Sequence, residues 1–307
     1  MNCLANSVLP TDIKETLCCP LCSGLQQKNL AEFRGKFLKR CLACGGSYVV
    51  PQPSPEELVA HFQDDRADKA DLESKFELNR KNVLSRVADY IQRSRQRGRI
   101  LDVGCATGLF LARFFQKPNW DAWGLELTPR AADQAAAKGV RVFRGNIHQA
   151  RFAENSFDVI TVLDAFYYFP DPALELAELR HVLMPDGLLV LELPFAASRI
   201  WRTSTSLGRL LSGSRHPLLK SSDHLFYFNP RSVARLLTRC GFRMQAILPL
   251  PGNRQAHLMR DLAFRAYSLG SALAYAASGG RIFLGPRFLV AATKTSQPST
   301  ARGTNLS

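Results

Sequence analysis

Apolar residues along the chain fall into short continuous runs and into stretches with helical spacing. The short runs predict seven strands, near residues 99–104, 121–126, 140–144, 157–163, 187–193, 243–249 and 286–293. The helical spacing predicts helices between them, near residues 107–117, 129–138, 172–184, 231–240 and 258–277. Strands that alternate with helices in this way predict an α/β fold, with a mostly parallel sheet covered on both faces.

The residues before this alternation differ in composition from the rest, which indicates additional regions. Apolar residues at helical spacing over residues 72–97 predict a helix that packs on the sheet. We expect four regions: a cysteine-rich module at 1–50, a proline-containing linker and helix start at 51–74, the main domain at 75–295, and a disordered tail at 296–307. Within the main domain, residues 194–222 predict a long segment lying over the ligand edge of the sheet.

Four of the eight cysteines have the spacing of metal ligands. Two C-x-x-C pairs, Cys19 with Cys22 and Cys41 with Cys44, are separated by eighteen residues. This spacing is typical of a four-cysteine zinc ribbon, with Cys18 as an alternative to Cys19. Since four cysteines leave no open coordination position, the predicted Zn²⁺ is structural.

Residues 99–111 predict a strand, a tight turn of small residues and the start of a helix. Asp102 ends the strand, and Gly104 and Gly108 leave the backbone N–H groups of the turn open to a ligand. The next strand ends in Glu126, whose carboxylate can accept hydrogen bonds from a ribose diol. These features predict a nucleoside site at the carboxyl edge of the sheet.

The turn and the acid after it resemble the S-adenosylmethionine site of class I methyltransferases, a family with a Rossmann-like seven-stranded sheet whose last strand is antiparallel. The resemblance covers roughly residues 75–295. It implies that the cofactor is bound by residues of four successive strand ends: Asp102, Gly104, Cys105, Gly108, Glu126, Asn146, Ile147 and Asp164. Asn146 stands where the family usually has an aspartate, and Ile147 would pack on the adenine. Alternatively, Asn146 is only a turn residue.

Residues 222–233 resemble a signature of bacterial methyltransferases that carry an amino-terminal zinc module. The resemblance implies that His224 is the catalytic base and that Asp223 is its acidic neighbour. A histidine base suits methylation of a hydroxyl, which must lose its proton. The alternative is that His224 caps the following helix or packs beneath the long segment.

Positive charge is concentrated in the last third of the chain. The net charge is +14, and residues 191–307 contain 16 Lys and Arg against 3 Asp and Glu. An anionic substrate, an anionic membrane surface or RNA would each explain this excess, as would a role in solubility alone. The apolar runs are too short to cross a membrane, and we expect a cytoplasmic protein.

Together these features predict a methyltransferase that uses S-adenosylmethionine. The expected reaction is O-methylation of a small or conjugated acceptor with an anionic group, such as a sugar, glycan or lipid-linked intermediate. Two alternatives are an rRNA or tRNA methyltransferase that uses the ribbon and the basic last third, and a non-catalytic adaptor with the same fold.

Overall fold

A seven-stranded sheet forms the centre of the protein in the computed structural model. The structure describes residues 18–33, 35–54, 56–58, 60, 70–195, 224–253, 258–279 and 282–295. The predicted tail and all but the first two residues of the predicted segment at 194–222 lie outside these ranges, as does Asp223.

Eleven strands are found in the described residues, and all seven predicted strands are among them. They are β1 (Gln27–Phe33), β2 (Lys36–Cys41), β3 (Ser47–Val50), β4 (Gly98–Val103), β5 (Trp120–Glu126), β6 (Arg141–Arg144), β7 (Phe157–Leu163), β8 (Leu183–Pro194), β9 (Phe226–Tyr227), β10 (Phe242–Leu250) and β11 (Arg287–Lys294).

Helices cover both faces of this sheet. They are α1 (Ala70–Ser94), α2 (Ala112–Phe115), α3 (Pro129–Ala137), α4 (Ile147–Ala150), α5 (Pro172–Val182), α6 (Pro230–Arg239) and α7 (Leu258–Ala277). A short 3₁₀ helix spans Phe166–Tyr168. No helix among the described residues is both long and apolar enough to cross a lipid bilayer.

The large sheet has the strand order β10-β11-β8-β7-β4-β5-β6. Strands β8, β7, β4, β5 and β6 are parallel, whereas β11 runs antiparallel to both β8 and β10. The predicted α/β class and the seven-stranded sheet with an antiparallel last strand are therefore confirmed. Two apolar cores, one on each face, hold the helices to the sheet.

Two predicted boundaries differ from the structure. The helix predicted at 107–117 is regular only over α2, because the preceding residues form the turn that follows β4. Strand β8 begins four residues before its predicted start, directly after α5. Three exposed residues at 184–186 bulge out of β8 beside β7, and this irregularity hid the strand's first residues from the apolar pattern.

The cysteine-rich module forms a second sheet that includes a strand of the main domain. Its order is β1-β2-β3-β9, and β9 follows the amino-terminal module by more than 170 residues. Ser47 pairs with Tyr227 and Tyr48 with Phe226. The second sheet thus crosses the domain boundary that we predicted at residue 50, and its core is continuous with that of the main domain.

Candidate functional site

The turn after β4 is built by backbone hydrogen bonds to the end of β5. The amides of Gly104 and Cys105 both donate to the carbonyl of Leu125, at 2.9 Å each. Gly104 has φ +77° and Gly108 φ +76°, conformations that favour glycine. The turn therefore keeps its shape through contacts that do not involve a ligand.

Two buried carboxylates flank this turn, as predicted. Asp102 accepts a 2.6 Å hydrogen bond from the Thr161 hydroxyl. Glu126 accepts 2.9 Å hydrogen bonds from the backbone amides of Ala106 and Thr128. Because a carboxylate has about four acceptor positions, Glu126 keeps capacity for further donors. The carboxylate thus ties the two strand ends together at the predicted ribose position.

Close packing adds a second reason for glycine at the turn. A Cβ on Gly108 would lie 3.0 Å from the Ala135 Cβ of α3 and 3.2 Å from Val140 Cγ2. Cys105 is buried, and its sulfur would lie 2.5 Å from a Cβ on Gly124. The side chain of Cys105 therefore fills the core, so a contact of this residue with a cofactor would be through its backbone.

Asn146 and Ile147 lie at the start of α4, beside the end of β6. The Asn146 side-chain oxygen accepts a 2.9 Å hydrogen bond from the Gln149 amide, and the Asn146 amide donates a 2.9 Å hydrogen bond to the side-chain oxygen of Gln149. This reciprocal pair is a helix cap. Ile147 is buried in the core. The predicted adenine contacts of both residues remain predictions, while the cap is an observed role of Asn146.

Asp164 lies at the carboxyl edge, as predicted, within a buried cluster of charges. Its carboxylate accepts hydrogen bonds from both terminal nitrogens of Arg287, at 2.8 and 2.9 Å, and a 2.6 Å hydrogen bond from the Tyr167 hydroxyl. Glu192 accepts hydrogen bonds from Arg80 and Arg287. Two arginines thus balance two carboxylates, which is the condition for burying charge without a large penalty.

The cluster fixes the protonation of its members. Burial alone would raise the pKa of Asp164, but the adjacent Arg287 and Arg80 outweigh it and hold that pKa below its usual range. Burial and the Asp164 charge raise the pKa of Tyr167 well above its usual value. Asp164 is therefore a carboxylate and Tyr167 a neutral hydrogen-bond donor across the physiological range.

His224 stacks on the same tyrosine. Its ring centroid is 3.6 Å from that of Tyr167, with 15° between the planes, and Tyr168 and Tyr227 lie at 5.4 and 5.9 Å. Only 6% of His224 is exposed. The structure therefore brings the predicted base to the edge that holds Asp164, in an aromatic environment that fixes its ring. Its predicted neighbour, Asp223, lies outside the described residues.

The segment that carries His224 is held between the ribbon and the end of β7. Leu225 donates through its amide to the carbonyl of Tyr167 at 3.0 Å, and its carbonyl accepts from the amide of Val49 in β3 at 2.9 Å. The Asn229 side chain, which caps α6, donates to the carbonyl of Cys44 at 3.2 Å. The ribbon is thus attached directly to residues that closely follow the candidate base in the chain.

The four predicted cysteines form one cluster. The sulfur atoms of Cys19, Cys22, Cys41 and Cys44 all lie within 4.8 Å of one another, with 3.8 Å between Cys19 and Cys44. Zn–S bonds of about 2.3 Å in a tetrahedron would place the sulfurs about 3.8 Å apart. A hydrogen bond from Cys19 lowers the pKa of Cys44 to about 5. The geometry and donor set fit a zinc ion, and they favour Cys19 over Cys18.

Sequence reasoning missed the basic half of the buried cluster. Arg80 lies within α1, and Arg287 begins β11; both are 9% exposed or less. Glu192 is fully buried near the end of β8. For Glu192 and Arg287 the available signal was a charged residue inside or at the start of an otherwise apolar strand, since such a residue needs a buried partner.

A family model described as a methyltransferase domain matches residues 47–247 of this chain. A demethylmenaquinone methyltransferase from Deinococcus radiodurans is 28% identical over 163 residues, which are 47% of this chain and 68% of that protein. A protein with the same description from Lactiplantibacillus plantarum is 31% identical over 102 residues, 30% of this chain and 43% of that protein.

Solved structures share the fold. The 1,6-didemethyltoxoflavin-N1-methyltransferase of Burkholderia thailandensis, with bound 1,6-didemethyltoxoflavin and S-adenosylhomocysteine, matches with a TM-score of 0.52 at 16% identity, over 88% of this chain and 100% of that chain. A SAM-dependent methyltransferase from Thermotoga maritima gives a TM-score of 0.50 at 16% identity, over 74% of this chain and 97% of that chain. At these identities the likeness shows the fold alone.

Proposed function

Because the chain belongs to the methyltransferase domain family and is an S-adenosylmethionine-dependent methyltransferase, we propose that it methylates an oxygen of a small or conjugated acceptor. We propose further that the acceptor carries a phosphate or carboxylate. A sugar, a glycan or a lipid-linked intermediate that bears such a group would fit this description. The observation that carries this proposal is the buried His224, stacked on Tyr167 at the carboxyl edge of the sheet.

The turn and its two carboxylates are the proposed cofactor site. S-adenosylmethionine supplies an electrophilic methyl group on a positively charged sulfur. Asp102 and Glu126 are buried, lie at adjacent strand ends, and are already oriented by hydrogen bonds to Thr161 and to the turn. Such carboxylates suit the amino group and ribose hydroxyls of a nucleoside ligand. Gly104 and Gly108 would line the site through their backbone.

His224 is the proposed general base. Stacking against Tyr167 limits rotation of the imidazole, and the Tyr167 hydroxyl is itself anchored on Asp164. An oriented imidazole can accept the proton of an acceptor hydroxyl while that oxygen gains its methyl group. We assign Asp164 and Tyr167 to positioning His224 rather than to chemistry, since both polar groups are used within the cluster.

The cysteine cluster is the proposed site of a structural zinc ion. Cys19, Cys22, Cys41 and Cys44 would hold it, with no position left for a substrate. Its contribution would be the folding energy of the ribbon. Because β3 of the ribbon pairs with β9, this energy would also stabilise the segment that carries His224.

The acceptor class can be tested with radiolabelled methyl donor. We expect label from S-adenosylmethionine to enter a phosphate- or carboxylate-bearing component of a small-molecule and lipid extract, and to be absent from total RNA. The His224→Asn variant should transfer at least about a hundredfold less label while it binds the donor normally. Label in RNA alone would overturn the proposal in favour of a nucleic-acid acceptor, and label in neither, despite donor binding, would refute this acceptor class.

A further inference from the structure

Helix α7 presents its apolar side chains to solvent. We name Leu258, Met259, Leu262, Leu269 and Leu273 the α7 stripe; they recur at helical spacing along one side of the helix. Leu269 is 63% exposed and Leu273 62%. Of the fourteen large apolar residues that are exposed within the described ranges, nine lie between residues 248 and 284. Exposed apolar residues concentrated in this way mark an interaction site.

The stripe is not needed to hold α7 on the protein. The opposite side of the helix makes those contacts, where the Tyr275 hydroxyl donates to the carbonyl of Ile247 at 2.6 Å and the Gly252 amide donates to the Ser268 hydroxyl at 3.4 Å. Asp261 and Ser271 on this side are buried. The helix therefore packs through polar and aromatic residues and leaves its leucines outward.

Helix α7 is connected to the edge of the sheet where the candidate acceptor site is found. Helix α7 connects the end of β10 to the start of β11, where Leu250 pairs with Arg287 and Arg287 pairs with Pro194. The same Arg287 holds Asp164 through two hydrogen bonds. The strands that α7 connects are thus tied to the buried cluster that contains Asp164.

The charge of the residues that surround the stripe in the sequence favours one class of partner. Residues 251–286 contain four arginines and a single acidic residue, the buried Asp261. Arg265 is exposed. An apolar helix face accompanied by arginines is typical of segments that lie in the interface of an anionic bilayer. We propose that the α7 stripe docks this protein on an anionic lipid surface, with the carboxyl edge of the sheet beside the headgroups.

A second copy of the chain is the less favourable occupant. In a two-fold dimer the same surface meets itself, so that Arg265 of one copy and Arg265 of the other would belong to the same interface. The described part of residues 251–286 offers no exposed acid to pair across that interface, and the net positive charge of this stretch opposes association. A bilayer of anionic lipid instead buries the leucines and attracts the positive charge.

Docking on lipid is a separate property from the proposed methyl transfer. Binding to vesicles can therefore be measured without an assay of methyl transfer. The full-length protein would be sedimented with vesicles of phosphatidylcholine alone and of phosphatidylcholine mixed with phosphatidylglycerol. We expect binding to the mixed vesicles that weakens as salt is added. Replacing Leu269 and Leu273 by glutamate should weaken it at least about a hundredfold, since each buried leucine contributes roughly tenfold or more.

Two further variants calibrate this result. Leu174→Glu is a matched control, because Leu174 is also exposed but lies on α5; it should bind vesicles as the unmodified protein does. Arg265→Gln should weaken binding about fivefold, the effect of about 1 kcal/mol per basic residue near an anionic surface. Circular dichroism checks the helical content, and Leu262→Gln replaces the double variant if that content falls.

Three results would overturn the inference. The first is the absence of vesicle binding by the unmodified protein, and the second is a double variant that binds as tightly as the unmodified chain. The third is a dimer, detected by light scattering, that forms in a protein without lipid binding and that is lost in the double variant. That last outcome would assign the stripe to a second copy. None of these results depends on the acceptor or on the rate of methyl transfer.

Discussion

The two halves of the candidate site are built in different ways. The cofactor half, comprising the turn after β4 and Glu126, is contained within residues 102–126 and is held by hydrogen bonds between neighbouring strands. The acceptor half brings together His224, the end of β7, the start of β11 and the ribbon. The first half is therefore robust to changes elsewhere, whereas the second depends on contacts between distant segments.

The difference indicates where specificity can change. The turn is stabilised by its own backbone and by the end of β5, so we expect its geometry to depend little on distant segments. The acceptor half includes the strand pair of β3 with β9 and the cluster of Arg80, Asp164, Glu192 and Arg287. We expect changes to these long-range contacts to impair methyl transfer while leaving cofactor binding in place.

The largest effect should come from the cysteine cluster. Cys41→Ser should remove bound zinc, whose contribution to folding is on the order of 10 kcal/mol, and should unfold the ribbon. Without β3, the segment of His224 loses its hydrogen bond to Val49, and methyl transfer should fall at least about a hundredfold. Zinc analysis and labelled transfer measure both effects.

Cys18→Ser is the matched control, because Cys18 neighbours the cluster but is not part of it. It should keep its zinc and its activity. The claim that the two halves are built separately would be contradicted if Cys41→Ser lost cofactor affinity to the same degree as methyl transfer. It would also be contradicted if the metal-free variant remained fully active.

The next largest effect should come from the candidate base. His224→Asn should lower kcat about 10²- to 10⁴-fold while KM and cofactor affinity stay near their original values. His181→Asn, at an exposed position on α5, should leave kcat unchanged. A His224 variant with the original kcat would reduce this residue to a packing role.

The buried charge cluster should affect stability as well as methyl transfer. Arg287→Met leaves Asp164 and Glu192 with only Arg80, so the free energy of unfolding should fall by about 3–5 kcal/mol in urea titrations. Replacing the exposed Arg97 by methionine should have little effect. An Arg287→Met protein as stable as the original would show that the cluster does not hold β11 at this edge.

Acid should weaken the same cluster. The pKa of Asp164 in the folded protein is below its usual value. The contribution of this carboxylate to the free energy of unfolding is therefore complete above about pH 4 and is lost as the pH falls further. In Asp164→Asn, stability should therefore fall less steeply between neutral and acidic pH. Equal slopes for the two proteins would contradict the assignment of the low pKa to Asp164.

The smallest effect should occur at the start of α4. Asn146→Ala removes the helix cap and should lower stability by about 1 kcal/mol, whereas Asn146→Ser should retain most of it. The serine variant also separates the two roles of this position. Lower cofactor affinity at unchanged stability would support the predicted adenine contact, and unchanged affinity would leave Asn146 as a cap only.

The parts of the molecule that could be predicted from the sequence are those with local signals. The seven central strands are short apolar runs, and the four cysteines have the spacing of metal ligands. The turn with Asp102 follows directly from its strand. Strand β9 was missed because two residues carry no periodicity and are fixed by pairing with β3. The Arg287 to Asp164 contact joins residues 123 positions apart, so no local pattern indicated it.

The central claim is that cofactor binding and acceptor chemistry belong to separately built halves of one methyltransferase site. Titration calorimetry with S-adenosylhomocysteine tests it most directly, on the unmodified protein and on Asp102→Ala and His224→Ala. We predict one binding site that is abolished in Asp102→Ala and retained with the original affinity in His224→Ala. Binding that survives in Asp102→Ala, or that is lost in both variants, would contradict the account.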